Sequence, residues 1–428
     1  MRKGLIIFLV FVFNISIVSL AFSKTTLTYI YWVDPAAMPI WKQIIEGFEK
    51  ENPDIEVKDI PNPADYWTKV LTMIASGNPP DIMMMDYIYF PSWVVSGRLE
   101  PLDNYITRDN FSLKDFVPIS LKSTRYEGKQ YGIPMDLNNQ VMFYNTTLFK
   151  EAGLKDIDYS WTWDTFLDAC KKLTKTDGSG KVIQYGYTTG LSWEPLSPWI
   201  WMNKGDWFNS TLTKCTVDSP KTVEAFEFIA NLMNKYNYMP SPTRQTEMGL
   251  PDELQVFSGG KAGMYSSGFW QVSTLRTIKA FNWNIGPLPY KLLENGKPLR
   301  ASTLGGVQLC ILSSSKNKEA AWKFIKYRVK PEVQKLGTGL GLSMPALLSI
   351  AKSKEFSDMY PGINVKYCVE ALEYTRMFPT HPYFERIDTE VGPVFDQLWL
   401  GKKTASEVCK EYTEKANKIM AGAKPFKR

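Results

Sequence analysis

Histidine is almost absent: His381 is the single imidazole in 428 residues. That nearly excludes a Ser-His or Cys-His nucleophilic triad and rules out a multi-histidine metal site. Cysteine is scarce as well. Cys170, Cys215, Cys310, Cys368 and Cys409 match no metal or redox spacing, and an odd number cannot all pair, although one disulfide stays open in an oxidising compartment. Cys310, inside the apolar run Val307–Leu312, reads as a buried, inert thiol. Beyond the N-terminus no apolar run reaches the ~20 residues that span a bilayer. There is no internal repeat and no low-complexity linker. The 50 basic and 44 acidic residues are interspersed without a basic stripe, so nucleic acid is not an expected partner. Gly259-Gly260-Lys261 fails as a phosphate loop, because Ala262 follows the lysine and position 255 is not glycine. The Gly337, Gly339, Gly341 series reads as a loop. Asp177-Gly178-Ser179-Gly180 reads as a turn, lacking the further oxygen ligands calcium would need. No metal or cofactor is expected.

What is present begins with a leader. Arg2 and Lys3 precede the apolar segment Leu5–Phe13, and Ala21-Phe22-Ser23 offers small residues where a signal peptidase reads. Residues 1–23 are therefore expected to be removed before Lys24, leaving a protein outside the cytoplasm without stable membrane insertion. The nearly spanning apolar run to Leu20 leaves an anchor as the rival reading, against which polar Asn14, Ser16 and Ser19 argue. A chain of this length is too large for one ordinary core, so two lobes are expected.

The mature sequence alternates strand and helix signals. Leu27–Trp32 reads as a strand, and Trp41, Ile44, Ile45 and Phe48 form one apolar helical face. Ile55 and Val57 alternate as a second strand, and Tyr66, Val70, Met73 and Ile74 form a second helical stripe. Ile82–Met85 is continuously apolar, as a strand buried on both faces would be. This β-α-β-α-β order predicts an α/β domain with a largely parallel sheet. Further on, Val141–Tyr144 reads as a strand. Thr162 and Pro220 begin helices, and Thr404 with Glu407 forms a capping box for a last one.

Aromatic residues make up 14% of the chain, with 14 Trp. Trp193, Trp199, Trp201 and Trp207 crowd one stretch that fits neither helical nor strand periodicity, with Glu194 and Asn203 among them. Loop indoles can stack on the apolar faces of a sugar ring while Asp, Glu and Asn bond its hydroxyls. Asp34, Asp86 and Asp136 are loop-end carboxylates that could serve a glycosidase, but no spacing singles out an acid and a nucleophile.

Several stretches, in order along nearly the whole mature chain, resemble the extracellular solute-binding protein family 1, the maltose-binding-protein-like receptors of ABC sugar importers. They are IEGFEKENPDIEV from Ile45 to Val57, ASGNPPDI from Ala75 to Ile82, SGRLEPLD from Ser96 to Asp103, and YGIP from Tyr131 to Pro134. Phe143–Asn145, Leu148-Phe149, Ala152–Leu154, Trp161–Trp163, FSGGKAGM from Phe257 to Met264, Gly268–Trp270, Trp283 and Gly286–Pro289 continue the series. The resemblance implies a periplasmic-binding-protein-like α/β fold: two lobes, a hinge and a ligand cleft between them. One lobe would take residues 24–135 plus about 287–342, the other about 136–286 plus 343–428. The crossings would fall near Pro134–Asn139, Pro287–Gly305 and Leu340–Pro345. Ligand contacts carried over from the family are Asp34, Asp86, Tyr87, Asn138, Asn139, Trp193, Glu194, Trp270, Gly305 and Gly306, with His381 or Tyr383 supplying an aromatic. Where many relatives carry a carboxylate on the first crossing, this chain has Asn138-Asn139, with Asp136 close by. The function implied is capture of a carbohydrate by a monomeric, non-enzymatic receptor for ABC permease subunits. The rivals are a secreted carbohydrate-active enzyme and the same fold holding glycerol-phosphate, which calls for Arg or Lys in the cleft, or a polyamine, which calls for several carboxylates.

Overall fold

The computed structural model describes residues 24–33, 35–61, 65–339, 341 and 343–427. The expected leader and Asp34 lie outside the described residues. Strands β1 (Thr25–Tyr31), β2 (Ile55–Pro61), β3 (Ile82–Asp86) and β4 (Gly132–Pro134) join a later strand, β11 (Val307–Ile311), in a five-stranded sheet ordered β2-β1-β3-β11-β4. β1 runs parallel to β2 and β3, as the alternating signals predict, while β11 is antiparallel to β3 and β4. The apolar run in β3 is buried residue by residue, with β1 and β11 flanking it in the sheet. The helix Met38–Glu51 buries Trp41, Ile44, Ile45 and Phe48, the stripe read from sequence.

The second sheet is built around β5 (Asp136–Asn145), ten residues long and buried over nearly all of its length. With β6 (Lys175–Thr176), β7 (Val182–Thr189), β8 (Ala262–Gly268), β10 (Ser302–Gly305) and β13 (Thr375–Arg376) it forms the path β13-β10-β5-β8-β7-β6. β9 (Trp283–Gly286) and β12 (Met344–Pro345) also pair with β5. Capping boxes at Thr162 and Thr404 start the helices Trp163–Leu173 and Ala405–Ile419. All five cysteines are buried and free. No described helix is long and apolar enough to cross a membrane.

The segment 287–305, expected in the first lobe, pairs with the second sheet instead. Tyr290 bridges Thr162, Lys291-Leu292 and Pro298-Leu299 form a hairpin, and β10 pairs with β5 and β13. The Pro287–Pro289 turn opens that hairpin rather than a crossing. The crossing is the single residue Gly306, between β10 and β11. The first crossing is Met135, between β4 and β5, and the third passes β12, whose Met344 and Pro345 pair with Leu137 and Asp136. The chain ends by returning to the first lobe. Glu127 N–H donates to Lys427 C=O at 2.9 Å, and Phe426 stacks on Tyr126 with centroids 5.0 Å apart.

Gly306 has φ +119°, and a Cβ there would sit 2.6 Å from Asp136 O and 2.9 Å from Leu137 Cα. Both the backbone region and the neighbouring strand therefore demand glycine. Gly306→Ala is expected to lower stability by about 2–3 kcal/mol. Urea unfolding with an unchanged midpoint would refute the close contact between the two crossings.

Candidate functional site

In α/β sheets ligands gather beyond the carboxyl ends of the strands. Here the two sheets turn those ends toward each other across a cavity of about 600 Å³. That is within the ~300–1,000 Å³ usual for small-molecule sites. Its first-lobe wall is aromatic. Trp32 follows β1, Tyr66 and Trp67 open the helix after β2, Tyr87 and Tyr89 follow β3, and Trp41 projects from the first helix. The rings hold one another. Trp32 meets Tyr66 edge-on at 4.5 Å, Tyr66 meets Trp67 at 5.1 Å, and Trp67 lies 4.2 Å from Tyr89. Tyr66 hydroxyl donates to Met84 C=O at 2.8 Å, fixing that corner to β3.

The second-lobe wall is one packed patch. Trp270 sits in a short 3-10 turn directly after β8, and its six-membered ring covers Gly268 so closely that a Cβ there would lie 1.8 Å from Cζ3. A Cβ on Gly305 would meet Asn138 Cβ at 3.1 Å, Glu194 Oε1 at 3.4 Å and Trp270 Cζ3 at 3.4 Å. Glycine at 268 and 305 thus makes room for the indole to lie flat against backbone. Trp193, beside Glu194, rests on Phe378 at 4.6 Å and completes the patch. It also borders a second cavity of about 360 Å³, lined by Trp207, Phe395, Trp399 and Tyr412 and lying within the second lobe.

Eight of the twelve residues expected at the ligand line the interlobe cavity: Asp86, Tyr87, Asn138, Trp193, Glu194, Trp270, Gly305 and Gly306. Asp34 lies outside the described residues. Three turn elsewhere. Asn139 is fully buried and its Nδ2 donates to Cys368 C=O at 2.6 Å, because successive side chains of β5 face opposite ways. His381 is buried with its Nε2 paired to Lys424 C=O at 3.2 Å, so it secures the C-terminal return. Tyr383 is exposed and does not line the cavity. Tyr87 is itself nearly enclosed. Its hydroxyl donates to Leu304 C=O at 3.0 Å and accepts from Phe378 N–H at 3.2 Å, riveting the loop after β3 to the other lobe.

The Trp-rich stretch is not a loop. Trp193–Met202 is a helix with Pro198 inside it. Trp199, Trp201 and Trp207 are buried among core aromatics, with Trp199 against Trp163 and Phe166 and Trp207 against Phe226. Only Trp193, at the first turn, reaches the cleft. Conversely, Trp32, Trp41, Tyr66, Trp67 and Tyr89 line the cavity although the sequence pattern marks them only as strand or helix residues or not at all. Trp32 and Tyr89 lie just past strand ends and Tyr66 and Trp67 open the helix after β2, which is the signal that marks them; Trp41, within a helix, carries none.

Three carboxylates converge on the cavity: Asp86, Asp136 and Glu194. Burial pushes Asp86 up to about 7, partly offset by the Ile88 N–H bonded to it, and Asp136 nearby pushes it further. Asp136 is raised to about 6 by burial, with Val307 N–H and the Arg328 guanidinium opposing. Glu194 is raised to about 8, by burial first and by Asp86 second. No Lys or Arg is among the described residues lining the cavity.

Two α/β lobes joined by three crossings around an aromatic, acidic cleft define a hinged solute receptor. The chain belongs to the bacterial extracellular solute-binding protein family, whose profile matches residues 32–335. It is similar to the maltotriose-binding protein of Pyrococcus abyssi, 24% identical over 91% of this chain and 81% of that one. It is also similar to the sn-glycerol-3-phosphate-binding periplasmic protein of Pectobacterium atrosepticum, 23% identical over 88% and 87%. Its fold matches an ABC substrate-binding protein from Listeria monocytogenes in complex with cycloalternan. The TM-score is 0.81 at 27% identity, over 93% of this chain and 99% of that one.

The raised carboxyls give a pH signature. Each titrates above the ~4 of an unfolded chain, so the folded protein holds more protons in between. The stability this confers is fully present below about pH 4 and is lost as pH rises through about 6 to 8. The ligand-free protein is expected to melt lower at pH 8.5 than at pH 5.5, and Asp86→Asn combined with Glu194→Gln should flatten that slope. Scanning calorimetry decides it; a wild-type profile already flat in this range contradicts the assignment.

Proposed function

We propose that this chain captures a carbohydrate, an oligosaccharide by the breadth of its aromatic walls, and delivers it unaltered to the permease subunits of an ABC importer. The observation that carries this reading is the pair of indole-bearing walls, one on each lobe, with acceptor side chains between them. A pyranose offers apolar faces for stacking and a rim of hydroxyls for bonding, and this cleft is complementary to both. Trp270 and Trp193 supply stacking from the second lobe and Trp32 and Trp67 from the first. Asp86, Asp136, Glu194 and Asn138 accept from hydroxyls, and Gly305 and Gly306 let backbone approach the ring. Relatives described as binding maltotriose or cycloalternan support a sugar cargo. The glycerol-phosphate reading lacks the cation it requires, since none of the described lining residues is Lys or Arg.

On this reading the protein is a monomer that works outside the cytoplasm after cleavage before Lys24. The first lobe comprises 24–135 and 307–342, the second 136–305 and most of 343–422, with Gly306 between them and Phe426-Lys427 back on the first lobe. Sugar binds one lobe, hinge closure brings the other onto it, and the membrane subunits recognise the closed form.

Trp270→Ala is expected to weaken binding of the preferred sugar by about 2 kcal/mol, roughly thirtyfold, with little loss of stability. Calorimetry on the ligand that most raises the melting temperature in an oligosaccharide panel is the measurement; unchanged affinity removes Trp270 from the site. The same ligand, incubated with the protein and analysed by chromatography, should be recovered intact. Release of smaller sugars would make the carboxylates catalytic and the receptor reading wrong.

A further inference from the structure

Acidic groups without cations line this cleft, and burial opposes their ionisation until a cation arrives to stabilise it. Asp86, Asp136 and Glu194 line it, and among the described residues no Lys or Arg does. Arg328 is buried beside the first-lobe wall, its guanidinium 4.8 Å from the Trp41 ring centroid. It reaches Asp136 electrostatically, whereas Glu194 is influenced by Asp86 and bonded by Gln140. A second observation is independent of charge. Asn138 lines the cavity with only 7% of its surface exposed, and its Oδ1 has no hydrogen-bond partner. A buried acceptor without a donor calls for one from the ligand.

A sugar hydroxyl donates one hydrogen bond and also seeks donors. An ammonium donates three, accepts none and carries the compensating charge. It is further attracted to the faces of indole rings, which the cleft presents from both lobes. Resting on the carbohydrate reading above, we infer that the cleft selects sugars bearing a basic nitrogen, a protonated amino group on the ring, over their neutral counterparts. The amine sits against Asp86 and Glu194, the acids with no protein cation of their own, and Asn138 Oδ1 accepts from the same group or its neighbouring hydroxyl. A linear polyamine shares the basic nitrogen but presents no ring face to stack on the indoles.

The test is calorimetry on the mature chain with glucosamine oligosaccharides, their N-acetylated forms, glucose oligosaccharides of the same linkage and length, and spermidine. The amino series should bind at least tenfold more tightly than both neutral series. That ratio should fall toward one in Glu194→Gln and in Asp86→Asn, whose folding is checked separately by circular dichroism and thermal melting. Neutral sugars binding as tightly as the amino series overturns this inference and leaves the carbohydrate reading standing. Spermidine binding where no sugar does overturns both, and no binding by any of the four probes overturns this inference alone.

Discussion

One carboxylate holds the hinge together. Asp136 opens β5, accepts a hydrogen bond from Val307 N–H at 2.8 Å on the second crossing, and is bonded by Ser343 on the third. Its own backbone pairs with Pro345, and Gly306 presses against its carbonyl. All three passages between the lobes therefore meet at the first two residues of one strand. A buried carboxylate costs several kcal/mol unless its lone pairs are used. Here they are used by the very segments that pass between the lobes, and Arg328 supplies the opposing charge.

That junction also sets the cleft. Val307, held by Asp136, pairs in register with Asp86, so the acid at the end of β3 is indexed to the crossing. Two residues further along β5, Asn138 pairs with Gly305, and Gly305 in turn seats Trp270 and Glu194. A chain of contacts thus runs from the hinge carboxylate to both walls without passing through a flexible loop. Tyr87 adds a rivet between the loop after β3 and the second lobe. The groups that line the cavity are placed by strand register, which is the rigid way to place them.

The sequence was legible where one local rule decided the outcome. Helical stripes such as Trp41–Phe48, the doubly buried run in β3 and the capping box at Thr404 are local patterns, and each appears as read. It misled where two rules competed. The Trp193–Met202 segment carries Pro198 and aromatics on every side, which removes the amphipathic period of a surface helix. It is nonetheless a helix, because a segment buried all round needs no polar face. Asn138 and Asn139 were equivalent on paper, yet the pleat of β5 gives only the first to the cavity. The crossing at Gly306 could not be placed from the Pro287–Pro289 turn, since only tertiary pairing shows that the hairpin after it stays with the second sheet.

The aromatic composition has two causes, and separating them explains what kind of receptor this is. Trp199, Trp201 and Trp207 are core residues that fill the second lobe around Phe226 and Phe228. Trp32, Trp67, Trp193 and Trp270 are partly exposed, lie just past strand ends, and face a shared gap. Indoles left half in water are costly unless something covers them, and here the covering surface can come only from the other lobe or from a ligand between the two. Among the described residues, side chains leave a cavity of about 600 Å³ between the walls. A flat ligand with two apolar faces would bury both walls at once, so each lobe's exposed aromatic surface favours closure only when such a ligand is in place. On the function proposed above, the half-buried indoles would link occupancy of the cleft to the relative position of the lobes.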